Sequence, residues 1–230
     1  MMKLVLTCEH AFNTIPGEYL KYFSGAAAVL NSHRGYDPGA YDLFKKLSDL
    51  SDFAIYQKSG RLLVEVNRSL DHPQLYSEYT AGLNKVEKEL LLSNYYFLYR
   101  NTIEDKIDEF IEEKEKVFHL SIHTFTPELE GEIRNADIGI LFDPERAEEK
   151  QVTENLKEKL EEENSQYVIR YNYPYLGTSD GFTTWLRQKF PEHYCGIELE
   201  INQKFVEENK MDEKIKQLVF TSVEECLKKS

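Results

Sequence analysis

The stretch LVLTCEHAFNTIP, residues 4–16, places an acid and an imidazole directly after a short apolar run. The run Lys3–Cys8 is rich in aliphatic and β-branched residues, which predicts a buried β-strand. Glu9 and His10 follow at the point where the chain must turn. Ligands of open α/β sheets collect beyond the carboxyl ends of the strands. The stretch therefore predicts both a sheet and its functional edge, provided that other strands supply partners for His10.

The rest of the chain alternates predicted strands and helices. Apolar runs predict further strands at Phe53–Gln57, Leu62–Val66, Val117–Ile122, Ile138–Phe142, Tyr167–Tyr171 and Gly196–Ile201. Apolar spacing or composition predicts helices at Gly39–Leu50, Asn84–Glu115, Ala147–Asn164, Asp180–Lys189 and Asp212–Lys228. Such alternation is typical of an α/β sandwich with a largely parallel or mixed sheet. No repeat or linker-like stretch interrupts it, so we expect one domain over residues 1–230.

Composition limits the classes of function. The 230 residues include 41 acidic and 28 basic side chains, a formal net charge of −13. A field of that sign repels phosphate backbones and anionic lipids, so nucleic acids and membrane surfaces are poor candidates as partners. Three cysteines without regular spacing predict reduced thiols, and no apolar run approaches the roughly 20 residues of a membrane helix. We expect a cytoplasmic protein, and a local basic pocket for a small anion is compatible with this balance.

Polar side chains that bind metals or carry protons recur near the ends of other predicted strands. His123 follows one of these strands, and Glu198 and Glu200 lie within the last one. Asn67 and Arg68 follow the predicted third strand. Together with the histidine after the first strand, four strands deliver such groups toward one edge. This concentration exceeds what scattered placement would give.

Some of these residues have an ordinary structural interpretation. His119 shares a strand face with His123 but lies deeper, so we expect His119 to be a hydrogen-bonded core residue. Asp37 lies in HRGYDPGA, where an acid before Pro38 is typical of a helix cap. It is equally placed to aim a carboxylate back at the strand ends. The sequence leaves these two interpretations of Asp37 open.

Three arginines flank the segments that carry the candidate residues. Arg61, Arg68 and Arg134 each have the interpretation of an ordinary surface charge. Arg68, however, follows a buried-looking run, where an arginine needs a partner or an anionic ligand. Their positions therefore predict a pocket for a carboxylate, which a guanidinium fork binds well.

Two histidines and one carboxylate, with a fourth position for water, form the ligand set of a catalytic zinc. Zinc lowers the pKa of its bound water to about 7 and polarises a carbonyl. A nearby glutamate then takes the proton of the water and passes it to a leaving amine. The candidates here are spread over more than a hundred residues, so spacing alone does not establish the set.

Seven segments, in order, resemble the N-formylglutamate amidohydrolase family: CEHAFNTIP, HRGYDPGA, RLLVEVNRS, SIHTFTPE, RNADIGIL, YPYLG and LEIN. The resemblance runs from about residue 4 to residue 203. It implies a three-layer α/β/α sandwich on a mixed, largely parallel sheet, similar to the zinc carboxypeptidases and aspartoacylases. It also implies one Zn²⁺ per chain. The implied substrate is a small anionic N-acyl amino acid such as N-formyl-L-glutamate, whose amide bond is hydrolysed.

The resemblance also implies roles for individual residues. The metal ligands are His10, Asp37 and His123. The substrate contacts are Arg61, Asn67, Arg68 and Arg134. Glu200 is the general base and acid, with Glu198 on the same strand face as its rival, and Arg68 also polarises the carbonyl.

One departure from the carboxypeptidase pattern affects the metal ligands. That pattern is H-x-x-E, but Asn13 stands three residues after His10. We therefore expect Asp37, rather than Glu9, to complete the metal site. Glu9 is then a loop acid or a partner of a ligand.

Two alternatives stay open. A carboxypeptidase-like peptidase or amidase, acting on a peptide or cell-wall fragment, would share the metal site and differ in its pocket. A metal-free binding protein on the same scaffold would bind no stoichiometric zinc.

Overall fold

A six-stranded sheet forms the centre of the structure, a computed structural model that describes residues 2–163 and 166–228. The strands are β1 (Lys3–Cys8), β2 (Phe53–Tyr56), β3 (Val117–Phe125), β4 (Glu128–Leu129), β5 (Glu132–Ile133), β6 (Ile138–Leu141), β7 (Ile169–Tyr171), β8 (Tyr194–Asn202), β9 (Val206–Glu207) and β10 (Lys210–Met211). The central sheet has the order β2-β1-β3-β8-β6-β7, and the short strands pair as hairpins. Neighbours in the central sheet are parallel except β6 and β8, which are antiparallel. The predicted mixed, largely parallel sheet is confirmed.

Helices cover both faces of this sheet. They are α1 (Ala27–Leu30), α2 (Ala40–Leu47), α3 (Lys85–Leu91), α4 (Leu98–Glu112), α5 (Ala147–Glu163), α6 (Phe182–Lys189) and α7 (Glu213–Lys228). A π-helical segment, Leu92–Phe97, joins α3 to α4. Short 3-10 helices lie at Gly17–Phe23, Ser48–Leu50 and Gln203–Phe205. Within the described ranges, each helix is too short or too polar to span a bilayer.

Alternating side chains of the strands divide the core into two clusters. Leu4 and Leu6 of β1 pack in the cluster covered by α2, α5 and α7. Val5, between them, points to the opposite face and packs in the cluster covered by α4 and α6. All nine residues of β3 are buried, as expected for a central strand covered on both faces. The fold is therefore the predicted three-layer α/β/α sandwich.

One predicted strand is wrong. Leu62–Val66 forms turns and irregular backbone, and its apolar side chains pack in the second core cluster. A loop takes the place of a strand partner: Glu65 N donates to Leu75 O, and the Ser77 hydroxyl donates to Leu62 O. A short apolar run bounded by turn residues does not by itself distinguish a strand from another buried segment.

The other predicted elements are present with shifted ends. The helical stretch predicted over Asn84–Glu115 is the continuous run of α3, the π-helical segment and α4. The predicted end of α5 at Asn164 lies outside the described residues. α2 begins at Ala40, so Pro38 precedes the helix by two residues instead of starting it.

Candidate active site

The carboxyl ends of β1, β3 and β8 open into a cavity of about 610 Å³. His10 follows β1, His123 lies near the end of β3, and Glu198 and Glu200 line the cavity from β8. Parallel pairing aligns these strand ends, so that His123 lies opposite Glu200 in the register of the sheet. The structure thus brings together groups that are far apart in sequence.

His10, Asp37 and His123 form a buried cluster around one carboxylate oxygen. Asp37 Oδ2 lies 3.2 Å from His10 Nδ1 and 2.9 Å from His123 Nδ1. One ligand atom from each of the three side chains lies within 4.8 Å of the others. Zinc ligands about 2.0–2.2 Å from the metal lie roughly 3.3–3.6 Å apart in a tetrahedron. A single ion can contact all three groups after small side-chain adjustments.

Each imidazole has another acidic neighbour on its other ring nitrogen. His10 Nε2 lies 2.7 Å from Glu65 Oε1. His123 Nε2 lies 3.3 Å from Glu9 Oε2 and 2.9 Å from Ser121 Oγ. Histidines that bind metals commonly donate the far N–H to a carboxylate, which leaves the other nitrogen free for the metal. This donor set fits zinc held through the two Nδ1 atoms and the shared aspartate.

Acidic groups give the cluster a preference for positive charge. Burial would lower the pKa of His123, but its contacts with Asp37 and Glu9 raise that pKa well above its usual value. Burial would also lower the pKa of His10, yet nearby carboxylates raise it overall. Burial opposes the ionisation of Asp37, but the two histidines hold its pKa well below the usual range. A cluster with this preference is suited to a cation.

Glu200 has a carboxylate oxygen without a hydrogen-bond partner. Within the described part of the chain, its Oε2 is buried and unpaired, although the side chain lines the cavity. Burial raises the pKa of Glu200 to about 7, against the opposing effect of His123. Glu198 differs, because its Oε1 accepts a hydrogen bond from the Thr183 hydroxyl. Among the described residues, one glutamate of this strand face is anchored by a hydrogen bond, and the other has an unpaired carboxylate oxygen.

Arg61 is held by acids of the site. Its Nε and Nη2 lie 2.7 and 2.6 Å from Glu65 Oε2, and its Nη1 lies 3.6 Å from Asp37 Oδ1. Arg61 lines the cavity, but its guanidinium is already bound to these two carboxylates. It therefore compensates part of their negative charge and fixes Glu65 against His10.

Arg68 and Arg134 are bound less tightly. Arg68 lines the cavity and donates to the backbone carbonyl of Asp180 at 2.6 Å. No carboxylate of the described residues lies within ion-pair distance of Arg68. Arg134 is not part of the cavity lining. It donates to the hydroxyl of Tyr175, and Tyr175 lines the cavity. Among the described residues, Arg68 is therefore the cation of the cavity lining that has no carboxylate partner, and Arg134 lies at the rim.

Asn67 lines the cavity from an irregular segment instead of from a strand end. Its Oδ1 accepts a hydrogen bond from Phe182 N, the first residue of α6, at 2.7 Å. Its backbone N–H donates to Glu65 Oε1 at 3.1 Å. The expected position at the end of a strand was wrong, but the side chain still reaches the predicted pocket.

The structure decides between the two interpretations of Asp37. Ahead of α2, the backbone carbonyl of Asp37 accepts from Ala40 N, and the Asp37 carboxylate makes no cap to the helix. That carboxylate faces the two histidines. Asn13 lies apart from the cluster, where its amide donates to Leu30 O and to Asn31.

Sequence reasoning missed Glu65 as a site residue. An acid inside the apolar run RLLVEV requires a buried partner, and this was the available signal. Glu9 was expected to be either a loop acid or a partner of a ligand. The structure places it against His123, as the second interpretation predicts. His119 is confirmed as a core residue, because its ring nitrogens lie 2.8 Å from Thr7 Oγ1 and 2.7 Å from the Tyr194 hydroxyl.

Comparisons with known proteins show which fold and which family this chain shares. A similar solved structure is the gene product Atu2144 from Agrobacterium tumefaciens, with a TM-score of 0.83 and 25% identity over 99% of this chain and 91% of that chain. N-formylglutamate amidohydrolase from Ralstonia eutropha JMP134 shares the fold, with a TM-score of 0.71 and 14% identity over 100% of this chain and 95% of that chain. A comparison with curated proteins finds no match. The family model of N-formylglutamate amidohydrolase matches residues 2–206, and the chain belongs to that family.

Proposed function

We propose that this protein is a zinc-dependent amidohydrolase that cleaves the amide bond of a small N-acyl amino acid such as N-formyl-L-glutamate. Membership of the N-formylglutamate amidohydrolase family supports a hydrolase of this class. The observation that carries the proposal is the unpaired, buried Oε2 of Glu200 in the cavity that also contains His10, Asp37 and His123. A proton-accepting group beside a cation-binding cluster is the arrangement that hydrolysis of an amide requires.

His10, Asp37 and His123 would hold the zinc ion. Bound zinc supplies Lewis acidity, which lowers the pKa of a water molecule and polarises the carbonyl of the amide. Glu65 and Glu9 would orient the two imidazoles through their far nitrogens.

Glu200 would move the proton. It accepts a proton from the attacking water, whose oxygen bonds to the acyl carbon, and delivers it to the nitrogen when the C–N bond breaks. The products from N-formyl-L-glutamate are formate and glutamate. A pKa of about 7 suits this role, because the same group must accept and return a proton near neutral pH.

Arg68 would bind a carboxylate of the substrate. It is the cavity cation without a carboxylate partner among the described residues, and a guanidinium matches a carboxylate with two parallel hydrogen bonds. Asn67 lies on the same segment. Its amide nitrogen has no hydrogen-bond partner among the described residues and would donate to the substrate. Arg61 would act on the substrate mainly by holding Glu65 and Asp37 in place. Arg134 would contact the substrate from the rim of the cavity.

Replacing Glu200 by Gln tests the assignment. We expect Glu200→Gln to keep its zinc and to lose about 100-fold or more in kcat/KM for N-formyl-L-glutamate, because the amide accepts no proton. Zinc content and steady-state kinetics are the measurements. Glu207→Gln, an exposed change outside the cavity, is the control. Near-normal turnover in Glu200→Gln, with the loss appearing in Glu198→Gln instead, would transfer the role to Glu198.

Elemental analysis distinguishes this proposal from a metal-free binding protein. We expect about one zinc per purified chain and none in a His10→Ala, His123→Ala double variant. No zinc in the parent protein, even after zinc is added, would favour the binding protein.

The size of the cavity favours a second candidate, a peptidase or amidase acting on a larger substrate. At about 610 Å³ the cavity falls within the roughly 300–1,000 Å³ of pockets for drug-sized ligands. Apolar Tyr175 and Leu176 line it and are 46% and 60% exposed. We expect N-acetyl- and N-benzoyl-L-glutamate to be hydrolysed alongside the formyl compound. Activity on the formyl compound alone would exclude the larger substrate class.

The thiols and the net charge support our proposals for the compartment and the partners. The three cysteines are buried, and none of them forms a disulfide within the described residues, which supports a cytoplasmic location. The net charge of −13 supports a small-molecule substrate over nucleic acid or membrane.

A further inference from the structure

We infer that three residues on one helical face, Tyr96, Tyr99 and Arg100, are positioning residues for two separate parts of the site. Tyr96 and Arg100 hold the backbone of the segment that carries Arg68. Tyr99 holds Glu9, which in turn orients the imidazole of His123. The inference rests on the proposed function, because it assigns to these parts the tasks of substrate binding and metal binding.

The first contact is with the backbone of the substrate-binding segment. The Tyr96 hydroxyl donates to Arg68 O at 2.7 Å. Arg100 Nη1 donates to the same carbonyl at 2.9 Å and to Val66 O at 3.2 Å. Because this segment has no strand partner among the described residues, these bonds add to those from the loop at Leu75 and Ser77 in fixing its backbone. The direction of the Arg68 side chain therefore depends on the helix.

Arg100 is buried without a carboxylate in ion-pair contact among the described residues. Its guanidinium lies 4.3 Å from the ring centre of Phe182 and 4.9 Å from that of Tyr96. Burying a cation without a carboxylate partner costs stability, and Nη1 of Arg100 donates to two carbonyls of this one segment. Fixing that segment is what the arrangement achieves.

The second contact is with the acid behind a metal ligand. The Tyr99 hydroxyl donates to Glu9 Oε1 at 3.1 Å. Glu9 Oε2 accepts from the Ser121 hydroxyl and lies 3.3 Å from His123 Nε2. The hydrogen bond from Tyr99 therefore holds Glu9 in the orientation in which its other oxygen faces the imidazole of His123.

Both contacts come from the region where the π-helical segment joins α4. Tyr96 lies in Leu92–Phe97, and Tyr99 and Arg100 follow at the start of α4. Residues three and four apart share a helix face. π-helical turns inside longer helices occur frequently at functional sites.

Three Tyr→Phe variants of the full chain test the inference, because each removes one hydroxyl from the same helix. Tyr95→Phe is the matched control: its hydroxyl donates to Glu18 at the surface. We expect Tyr96→Phe to raise KM for N-formyl-L-glutamate about three- to tenfold and to leave the zinc Kd unchanged. We expect Tyr99→Phe to weaken zinc binding about three- to tenfold, measured by competition with a chelator. Tyr95→Phe should change neither.

A merely structural role would lower stability in both buried variants without separating KM from zinc affinity. The inference is overturned if Tyr96→Phe and Tyr99→Phe change the same quantity, or if neither differs from Tyr95→Phe. The parent protein tests the proposed function independently. If it binds zinc but does not hydrolyse N-formyl-L-glutamate, that function fails, and the zinc affinity of Tyr99→Phe still decides the inference.

Discussion

His119 and His123 show how neighbouring side chains give one residue type opposite properties. Both lie on one face of β3, four residues apart. His123 is enclosed by Asp37 and Glu9, which favour its charged form. The ring nitrogens of His119 are hydrogen-bonded to the uncharged side chains of Thr7 and Tyr194, and burial lowers its pKa to about 4 against the opposing charge of Glu9.

This difference predicts a pH dependence of stability for His119. The unfolded chain binds a proton at His119 near its ordinary pKa of about 6.5, whereas the folded chain does so only near 4. Stability is therefore full above pH 6.5 and falls as the pH drops toward 4. We expect His119→Gln to escape this loss, so that its deficit against the parent protein shrinks by about 1 kcal/mol between pH 7.5 and 5.5.

Urea unfolding of both proteins at the two pH values measures the effect. Titration of the other groups is common to both proteins and cancels in the comparison. An equal deficit at pH 7.5 and pH 5.5 would mean that His119 titrates alike in the folded and unfolded chains.

At the level of residues, the sequence predicted the types of group in the site better than their pairing. His10, Asp37, His123 and Glu200 meet at the cavity as the resemblance implied. Glu65 was not anticipated, because it lay inside a run interpreted as strand. Which carboxylate faces which ring nitrogen depends on tertiary contacts, and no spacing along the chain encodes it.

Among the elements, β6 depends on one glycine beside the site. Gly139 lies opposite Glu200 in the antiparallel pairing of β6 and β8. A Cβ on Gly139 would lie 1.9 Å from Tyr173 O and 3.3 Å from Glu200 Cβ. The backbone at Tyr173 therefore approaches β6 so closely that position 139 has no room for a side chain.

Gly139→Ala is expected to lower the free energy of unfolding by about 2–3 kcal/mol, because the backbone must shift to remove the clash. The displaced strand should also lower kcat/KM through Glu200. Urea unfolding and kinetics are the measurements, with Gly82→Ala as the control, since a Cβ there meets nothing within 4 Å. Equal stability of the two variants would show that the backbone yields without cost.

Elements were predictable where a hydrophobic pattern and a regular partner agree. β1, β3 and β8 are long, apolar and paired in the sheet. Leu62–Val66 has a comparable pattern, but its backbone bonds go to a loop and to Arg100. The pattern reports burial, and burial alone does not choose between a strand and an irregular segment.

For the whole molecule, zinc and stability should be linked. The folded chain brings His10, Asp37 and His123 together, whereas the unfolded chain separates them, so zinc bound at this cluster would favour the folded state. Free zinc at about 100 times its Kd should add about 2.7 kcal/mol to the free energy of unfolding. For a chain of this size, that corresponds to a rise in Tm of about 5–10 °C.

Thermal melts with and without added zinc measure this rise. Asp37→Asn is the matched variant, because it alters the shared ligand oxygen and leaves both histidines in place. A rise of the same size in Asp37→Asn would locate the stabilising zinc elsewhere on the protein.

The antiparallel direction of β6 also bears on how this protein can evolve. β3 ends and β6 begins at the same edge of the sheet. The connection between them, which includes the β4–β5 hairpin, therefore stays at that edge and does not cross a face of the sheet. Leu129 of that hairpin lines the cavity. Insertions or deletions there would reshape the entrance without moving a strand of the central sheet or the side chains of His10, Asp37 and His123. We expect lineages of this family to diverge in substrate range through this connection first.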